Sequence, residues 1–145
     1  MKKRIKIIIA ALVVLAGLFS FNAKGQSATE VLKEIVTGLN DELPMDDGNG
    51  FIWKNASLVD NNIVFRFSND ESKIPMDILI ENKKVFGEVY LELFAGNLAK
   101  DDDFDFVDIF RVTKVGLKLT LVGLKSAKMC SVSYSNAELL AAMRK

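Results

Sequence analysis

Apolar residues recur at helical spacing between residues 31 and 43, directly after a helix-start signal. Ser27 and Glu30 match a capping box, in which the serine side chain accepts a backbone hydrogen bond and the glutamate side chain reaches back. Pro44 cannot continue a helix. We therefore predict a helix that begins after Ser27 and ends before Pro44, followed by a turn-rich linker.

Two pairs of later segments alternate between apolar and polar residues, as strands with one buried face do. The first pair covers residues 51–59 and 63–68, on either side of Asp60-Asn61-Asn62, whose residue types tolerate left-handed backbone angles. The second pair covers residues 117–121 and 128–134. Each pair predicts a β-hairpin.

Helical spacing returns between the hairpins and after the second one. It predicts a helix from Met76 to Phe94 and another from about Asp102 to Val115, whose acidic first turn suits the positive end of the helix dipole. The segment 135–138 is a second capping box and opens a short C-terminal helix.

The predicted order is helix, hairpin, two helices, hairpin, helix. This order indicates an α+β fold, because the apolar face of each hairpin and the apolar stripe of each helix can cover one another. We predict a two-layer sandwich with a largely antiparallel, four-stranded sheet, since both short connections are hairpins. Residues 26–145 suit one domain with one core.

Residues 1–25 differ in kind from the rest of the chain. They hold five of the 19 Lys and Arg residues and none of the 19 Asp and Glu residues, which leaves the rest with a net charge of −5. A basic start precedes an apolar run from Ile7 to Phe19, shorter than the about 20 residues that span a membrane. Small residues follow at Ala23 and Gly25.

This segment resembles a bacterial Sec-type signal peptide. The resemblance implies cleavage between Gly25 and Gln26, a periplasmic or secreted protein, and no membrane span after cleavage. An uncleaved membrane anchor is the alternative.

The residue types exclude several chemistries. The chain has no His and one Cys, so it cannot form a Ser-His-Asp or Cys-His arrangement, a histidine-bearing zinc site or a thiolate cage. It has no glycine-rich nucleotide motif, and we predict no cofactor. A body of net charge −5 without a basic stripe predicts no nucleic-acid partner.

The densest charge cluster is the segment Asp101-Asp102-Asp103-Phe104-Asp105. Alternating carboxylates suggest a calcium loop, but Phe106 and Val112 stand where an EF-hand has Gly and Glu. We therefore interpret the cluster as a helix start and predict no metal site.

Single residues offer few candidates for a binding site. Free cysteines are usually buried, so Cys130 is predicted to be a small core residue. Phe104 and Phe106 are two positions apart and cannot both face inward on a helix. We select Trp53 and Phe104 as candidate ligand-binding residues in an exposed aromatic patch, with core packing as the alternative.

The arrangement also resembles the small exported α+β domains of unknown function found in Gram-negative bacteria. The features are the Leu43-Pro44 turn leading to Gly48-Asn49-Gly50, the two hairpins and the closing capped helix. The resemblance implies no activity.

The leading hypothesis is an exported, non-enzymatic binding module that reaches a protein through a sheet edge or an aromatic patch. The alternatives are a carrier that holds an apolar small molecule between sheet and helices, and a hydrolase that uses only Asp and Glu.

Overall fold

A computed structural model describes residues 27–46, 48, 50–100 and 105–144. The elements in chain order are α1 (Ala28–Glu42), β1 (Met45–Asp46), β2 (Phe51–Val59), β3 (Asn62–Asn69), α2 (Met76–Glu81), α3 (Lys83–Ala99), α4 (Phe106–Thr113), β4 (Gly116–Gly123), β5 (Met129–Tyr134) and α5 (Asn136–Met143). The α+β class is confirmed. None of the helices in these ranges has the length and apolar character that crossing a membrane requires.

The sheet has five strands in the order β1-β2-β3-β4-β5. Both predicted hairpins form, and the loop of the first consists of Asp60 and Asn61, with positive φ angles of 51° and 60°. The prediction of a four-stranded, largely antiparallel sheet is wrong in two details. β1 adds a fifth strand beside β2, and the central pair β3–β4 is parallel, so the sheet is mixed.

The parallel pairing follows from the connection between the hairpins. The chain leaves β3, passes through α2, α3 and α4, and enters β4 from the same end of the sheet. A crossover of this kind joins parallel strands, whereas a tight turn joins antiparallel ones. Each hairpin is antiparallel within itself, and the seam between the hairpins is parallel.

The predicted helix from Met76 to Phe94 is two helices. Asn82 interrupts it with φ −111° and ψ 21°, and its side-chain amide donates to the carbonyl oxygen of Ile78 at 2.8 Å. Asparagine competes for backbone groups in this way and so disfavours a continuous helix. The second helix continues past Phe94 to Ala99.

The other helix starts agree with their capping signals. Ser27 accepts from the backbone N–H of Glu30, and Ser135 and Glu138 form the full reciprocal capping box. The helix predicted from about Asp102 begins at Phe106 among the described residues, where Asp105 accepts from the N–H of Asp108 at 3.0 Å.

One face of the sheet carries the core. Ile63, Phe65 and Phe67 of β3 are at most 2% exposed. The ring of Phe65 meets Phe94 of α3 at 5.2 Å between centroids, and Phe67 meets Tyr90 at 4.9 Å. Each buried ring of this size stabilises the fold by about 1.5–3 kcal/mol. The helices pack on this inner face, and the other face of the sheet is turned to solvent.

Candidate functional site

The outer face of the sheet carries a polar groove of about 320 Å³. Alternation along β3 turns Val64 and Arg66 outward while Phe65 turns inward. The parallel register places Lys118 beside Val64 and Thr120 beside Arg66. These four residues line the groove and bring two cations and a hydroxyl group to one surface.

Arg66 is oriented by neutral hydrogen-bond partners. The register of β2 against β3 shifts at Lys54, so that Asn55 is the residue opposite Arg66. Nη1 of Arg66 donates to Oγ of Ser57 at 2.7 Å and to Oδ1 of Asn55 at 3.3 Å. Neither partner carries a charge, so the guanidinium is positioned without being neutralised.

The charge of the groove is unevenly distributed. Neither Arg66 nor Lys118 forms an ion pair with any described residue. The outward side chains of β2 to β5 include no carboxylate, and the acidic side chain that lines the groove is Asp60, in the hairpin loop at one end. A positive surface therefore lies on a domain whose net charge is negative.

The edge strand β5 offers unpaired backbone groups. It pairs with β4 alone, and the N–H of Gly123 donates to the carbonyl oxygen of Lys128 at 2.9 Å just before β5 begins. Because backbone groups alternate in an antiparallel pair, those of Met129, Ser131 and Ser133 point away from β4. Among the described residues, none forms a hydrogen bond to these outward groups.

The opposite edge of the sheet is covered at two places. β1 pairs with Ile52 and Trp53, at the beginning of β2. Farther along β2, the side chain of Asn40 replaces a strand: it accepts from the N–H of Ala56 and donates to its carbonyl oxygen, both at 2.8 Å. The two edges therefore differ, since one is covered at two places and the other has no partner among the described residues.

Side-chain hydrogen bonds connect the segments that follow the carboxyl ends of the parallel strands β3 and β4. Open α/β sheets often bind ligands at this end. Here the carboxylate of Glu71, after β3, accepts from the N–H of Ser126 at 3.0 Å and from its hydroxyl group. The hydroxyl bond holds the pKa of Glu71 below its usual value. A side chain at Gly123 would collide with this carboxylate.

Sequence reasoning missed both of these arrangements. Glu71 and Ser126 are 55 residues apart, and Asn40 and Ala56 belong to different elements. A single sequence gives no signal for such pairs, because only the folded topology brings them together.

The candidate residue Trp53 lies in the core. It is 4% exposed, and its ring packs against Phe65 at 4.7 Å and Phe67 at 5.8 Å. It therefore forms no exposed aromatic patch. Phe104 lies outside the described residues, and its neighbour Phe106 is buried. Ligand binding by Trp53 or Phe104 stays a prediction.

Cys130 is half-buried on the inner face of β5, where it packs against the edge of the core. Desolvation by burial raises the pKa of its thiol, and Lys83 opposes this shift to a smaller extent. A thiol with a raised pKa is a poor nucleophile, so the position favours a packing role.

The described part of the chain offers few groups for acid–base or metal chemistry. Its buried polar or charged side chains are Ser68 and Asn69, and its residues include no group of His, Cys, Asp or Glu that could hold a metal ion. Asp101, Asp102 and Asp103 of the predicted acidic helix start lie outside the described residues.

Neither a protein-family model nor a curated protein matches this sequence. Among solved structures, the fold is similar to that of a protein from Pseudomonas aeruginosa described as a "putative secreted protein". The TM-score is 0.56 at 7% sequence identity, and the similarity covers 77% of this chain and 92% of the other. At this identity the likeness shows a shared fold: the chain has the architecture of that bacterial protein.

Proposed function

We propose that the protein is an exported, non-enzymatic interaction module that binds an extended segment of a partner protein along β5. The observation that carries this proposal is the free edge at Met129, Ser131 and Ser133, on a sheet whose other edge is capped by β1 and Asn40. Proteins generally protect their sheet edges, so an edge left open on one side only suits a docking role.

An added strand would pair with the edge of β5 and contact side chains on both of its faces. Main-chain hydrogen bonds give such complexes their affinity, and alternate side chains give them specificity. On the inner face an added strand would lie beside Cys130 and Val132, which are half-buried at the edge of the core. On the outer face it would lie beside Ser131 and Ser133. The matching segment alternates apolar residues with small polar ones.

Export is the second part of the proposal. The basic start, the apolar run and the small residues at Ala23 and Gly25 support a leader that is cleaved between Gly25 and Gln26. Helix α1 begins with its own N-cap at Ser27 and needs no contact from the preceding residues for that cap. The similar fold of a protein described as secreted agrees with export.

The two alternative functions have less support. A carrier needs room between sheet and helices, but interlocked rings such as Phe65, Phe67, Tyr90 and Phe94 fill that layer. A hydrolase built on Asp and Glu needs carboxylates in contrasting environments, and no carboxylate is buried among the described residues.

A proline at position 131 tests the docking edge. Ser131→Pro removes an N–H that points away from β4, so the β4–β5 ladder keeps its bonds while a partner strand loses one. We expect the variant to stay folded by circular dichroism and to lose capture of partners from the exported protein fraction. Hydrogen exchange of the wild-type complex should show protection at Met129, Ser131 and Ser133.

The matched control is Ser131→Ala, which removes the hydroxyl group and keeps the N–H. Because it keeps every main-chain hydrogen bond, it should capture far more partner than Ser131→Pro. Equal capture by Ser131→Pro and Ser131→Ala, or protection confined to other elements, would refute strand addition at β5.

A further inference from the structure

The outer groove joins two cations that no described residue neutralises. Arg66 and Lys118 both line this space of about 320 Å³, on a face of the sheet that the helices leave uncovered. We propose that the groove binds the phosphate group of a small phosphate ester. Met129 borders both the groove and the docking edge of the proposed function. The two cations of the groove take no part in that edge, so either proposal can fail alone.

The sheet places both cations within reach of one anion. Arg66 pairs with Thr120 on the neighbouring strand, and Lys118 is two residues before Thr120. Strands about 4.8 Å apart with a rise of about 3.3 Å per residue put the Cα atoms of Arg66 and Lys118 about 8 Å apart. Side chains of this length converge easily over that distance.

The orientation of Arg66 leaves donors for a ligand. Its Nη1 donates to Ser57 and Asn55, and no bond from its Nε or Nη2 to a described residue is present. Nε and Nη2 form the planar fork that arginine uses for two oxygens of one phosphate or carboxylate group. Because Nη1 is already held, less side-chain entropy is lost on binding.

The charge of the groove favours phosphate over carboxylate. A phosphate monoester carries about −1.5 to −2 at pH 7 and presents three acceptor oxygens. Arg66 and Lys118 together balance that charge, and the hydroxyl group of Thr120 offers a further donor. One carboxylate would leave a cation unbalanced. The volume lies at the lower end of the about 300–1,000 Å³ typical of small-molecule sites, which suits a small ester.

Asp60 gives the groove a direction. It lies in the hairpin loop, and Asn62, at the start of β3, is about 13 Å along the strand from Arg66. Repulsion from Asp60 places the phosphate at the Arg66–Thr120 end. The uncharged or cationic part of the ester then extends toward the hairpin.

Titration of glycerol 3-phosphate and inorganic phosphate, followed by amide chemical shifts, tests the site. We expect saturable shifts centred on Arg66, Lys118 and Thr120. Arg66→Gln should weaken affinity at least tenfold and Lys118→Gln about fivefold, because each removes a positive charge. The control Lys33→Gln, which removes a charge from the helical layer, should leave affinity unchanged.

The variant Asp60→Asn distinguishes a loss of binding from a loss of folding. Asparagine tolerates the positive φ of 51° at this position, and removing the negative charge should tighten phosphate binding about threefold. A gain in affinity cannot come from a damaged fold. Arg66→Lys keeps the charge without the fork, so its affinity should fall between those of the wild type and Arg66→Gln.

Further binding measurements distinguish a lipid headgroup from a soluble phosphate ester. Binding to phosphatidic acid vesicles but not to phosphatidylglycerol vesicles, lost in Arg66→Gln, would identify the phosphate monoester of a lipid headgroup, whereas binding of glycerol 3-phosphate alone would identify a soluble ester. Absence of saturable binding to every phosphate probe, wild-type affinity in Arg66→Gln, or acetate binding as tight as phosphate binding would overturn the proposal.

Discussion

At the scale of single residues, Asn40 has a larger role than its exposed position suggests. Its side-chain amide satisfies both backbone groups of Ala56, which is 3% exposed and lies where β2 has lost its partner β1. One amide group thus acts as a strand one residue long. A helix residue thus covers the edge of the sheet at Ala56.

Asn40→Ala should therefore destabilise the domain by about 1–2 kcal/mol, because it leaves a backbone donor and acceptor without partners. Urea unfolding measures this loss. The control Thr37→Ala removes an exposed hydroxyl group that bonds within the same helix, and it should change stability by less than about 0.5 kcal/mol. Equal effects of the two substitutions would contradict the role of Asn40.

Glu71 acts at the other end of the sheet through its charge. Its carboxylate accepts two hydrogen bonds from Ser126, and the hydroxyl bond lowers its pKa in the folded state. A lowered folded pKa means that the unfolded chain binds a proton more readily. The contribution of Glu71 to stability is present above the unfolded pKa and is lost as the pH falls through the folded pKa.

The melting temperature of the wild type should therefore fall more steeply than that of Glu71→Gln between about pH 5 and pH 3. At pH 7 the variant should melt at the lower temperature, and the difference should shrink in acid. Thermal melts across this pH range measure it, with Glu81→Gln on α2 as a control that removes an exposed carboxylate. A constant difference from pH 7 to pH 3 would rule out the carboxylate as the cause.

At the scale of elements, local signals predicted local structure. The serine caps at Ser27 and Ser135 and the Asp60-Asn61 loop are each determined by a few neighbouring residues, and all three are present. The break at Asn82 depends on one side chain competing for a backbone carbonyl, which apolar periodicity does not reveal. Two-residue β1 is recognisable only through its partner β2.

The parallel seam and the proposed binding surfaces could not be predicted for a related reason. Three helices separate β3 from β4 in the chain, so no local signal sets the register between them. The sequence shows only that each hairpin has an apolar face. The groove exists because this register aligns Arg66 with Thr120 and Val64 with Lys118. The residue type of Trp53 suggests a binding role, but the alternation along β2 places its side chain on the buried face, in the core.

At the scale of the whole molecule, the proposed leader can be tested separately from the folded domain. The described domain has its own core and capped first helix. We expect intact-mass analysis of exported protein to show a chain that begins at Gln26. Gly25→Leu should retain the leader, because the processing site requires a small residue. Exported wild-type protein that still carries Met1–Gly25 would contradict the cleavage prediction.

The half-buried thiol of Cys130 has a consequence for the proposed export of the protein. Disulfide exchange begins with a thiolate, and burial raises the pKa of this thiol, which lowers the fraction present as thiolate. A chain with one cysteine can therefore pass through an oxidising compartment with little risk of being captured in mixed disulfides. The thiol is covered because it lies on the inner face of β5. If β5 separates from the core, the thiol becomes accessible and can form covalent cross-links.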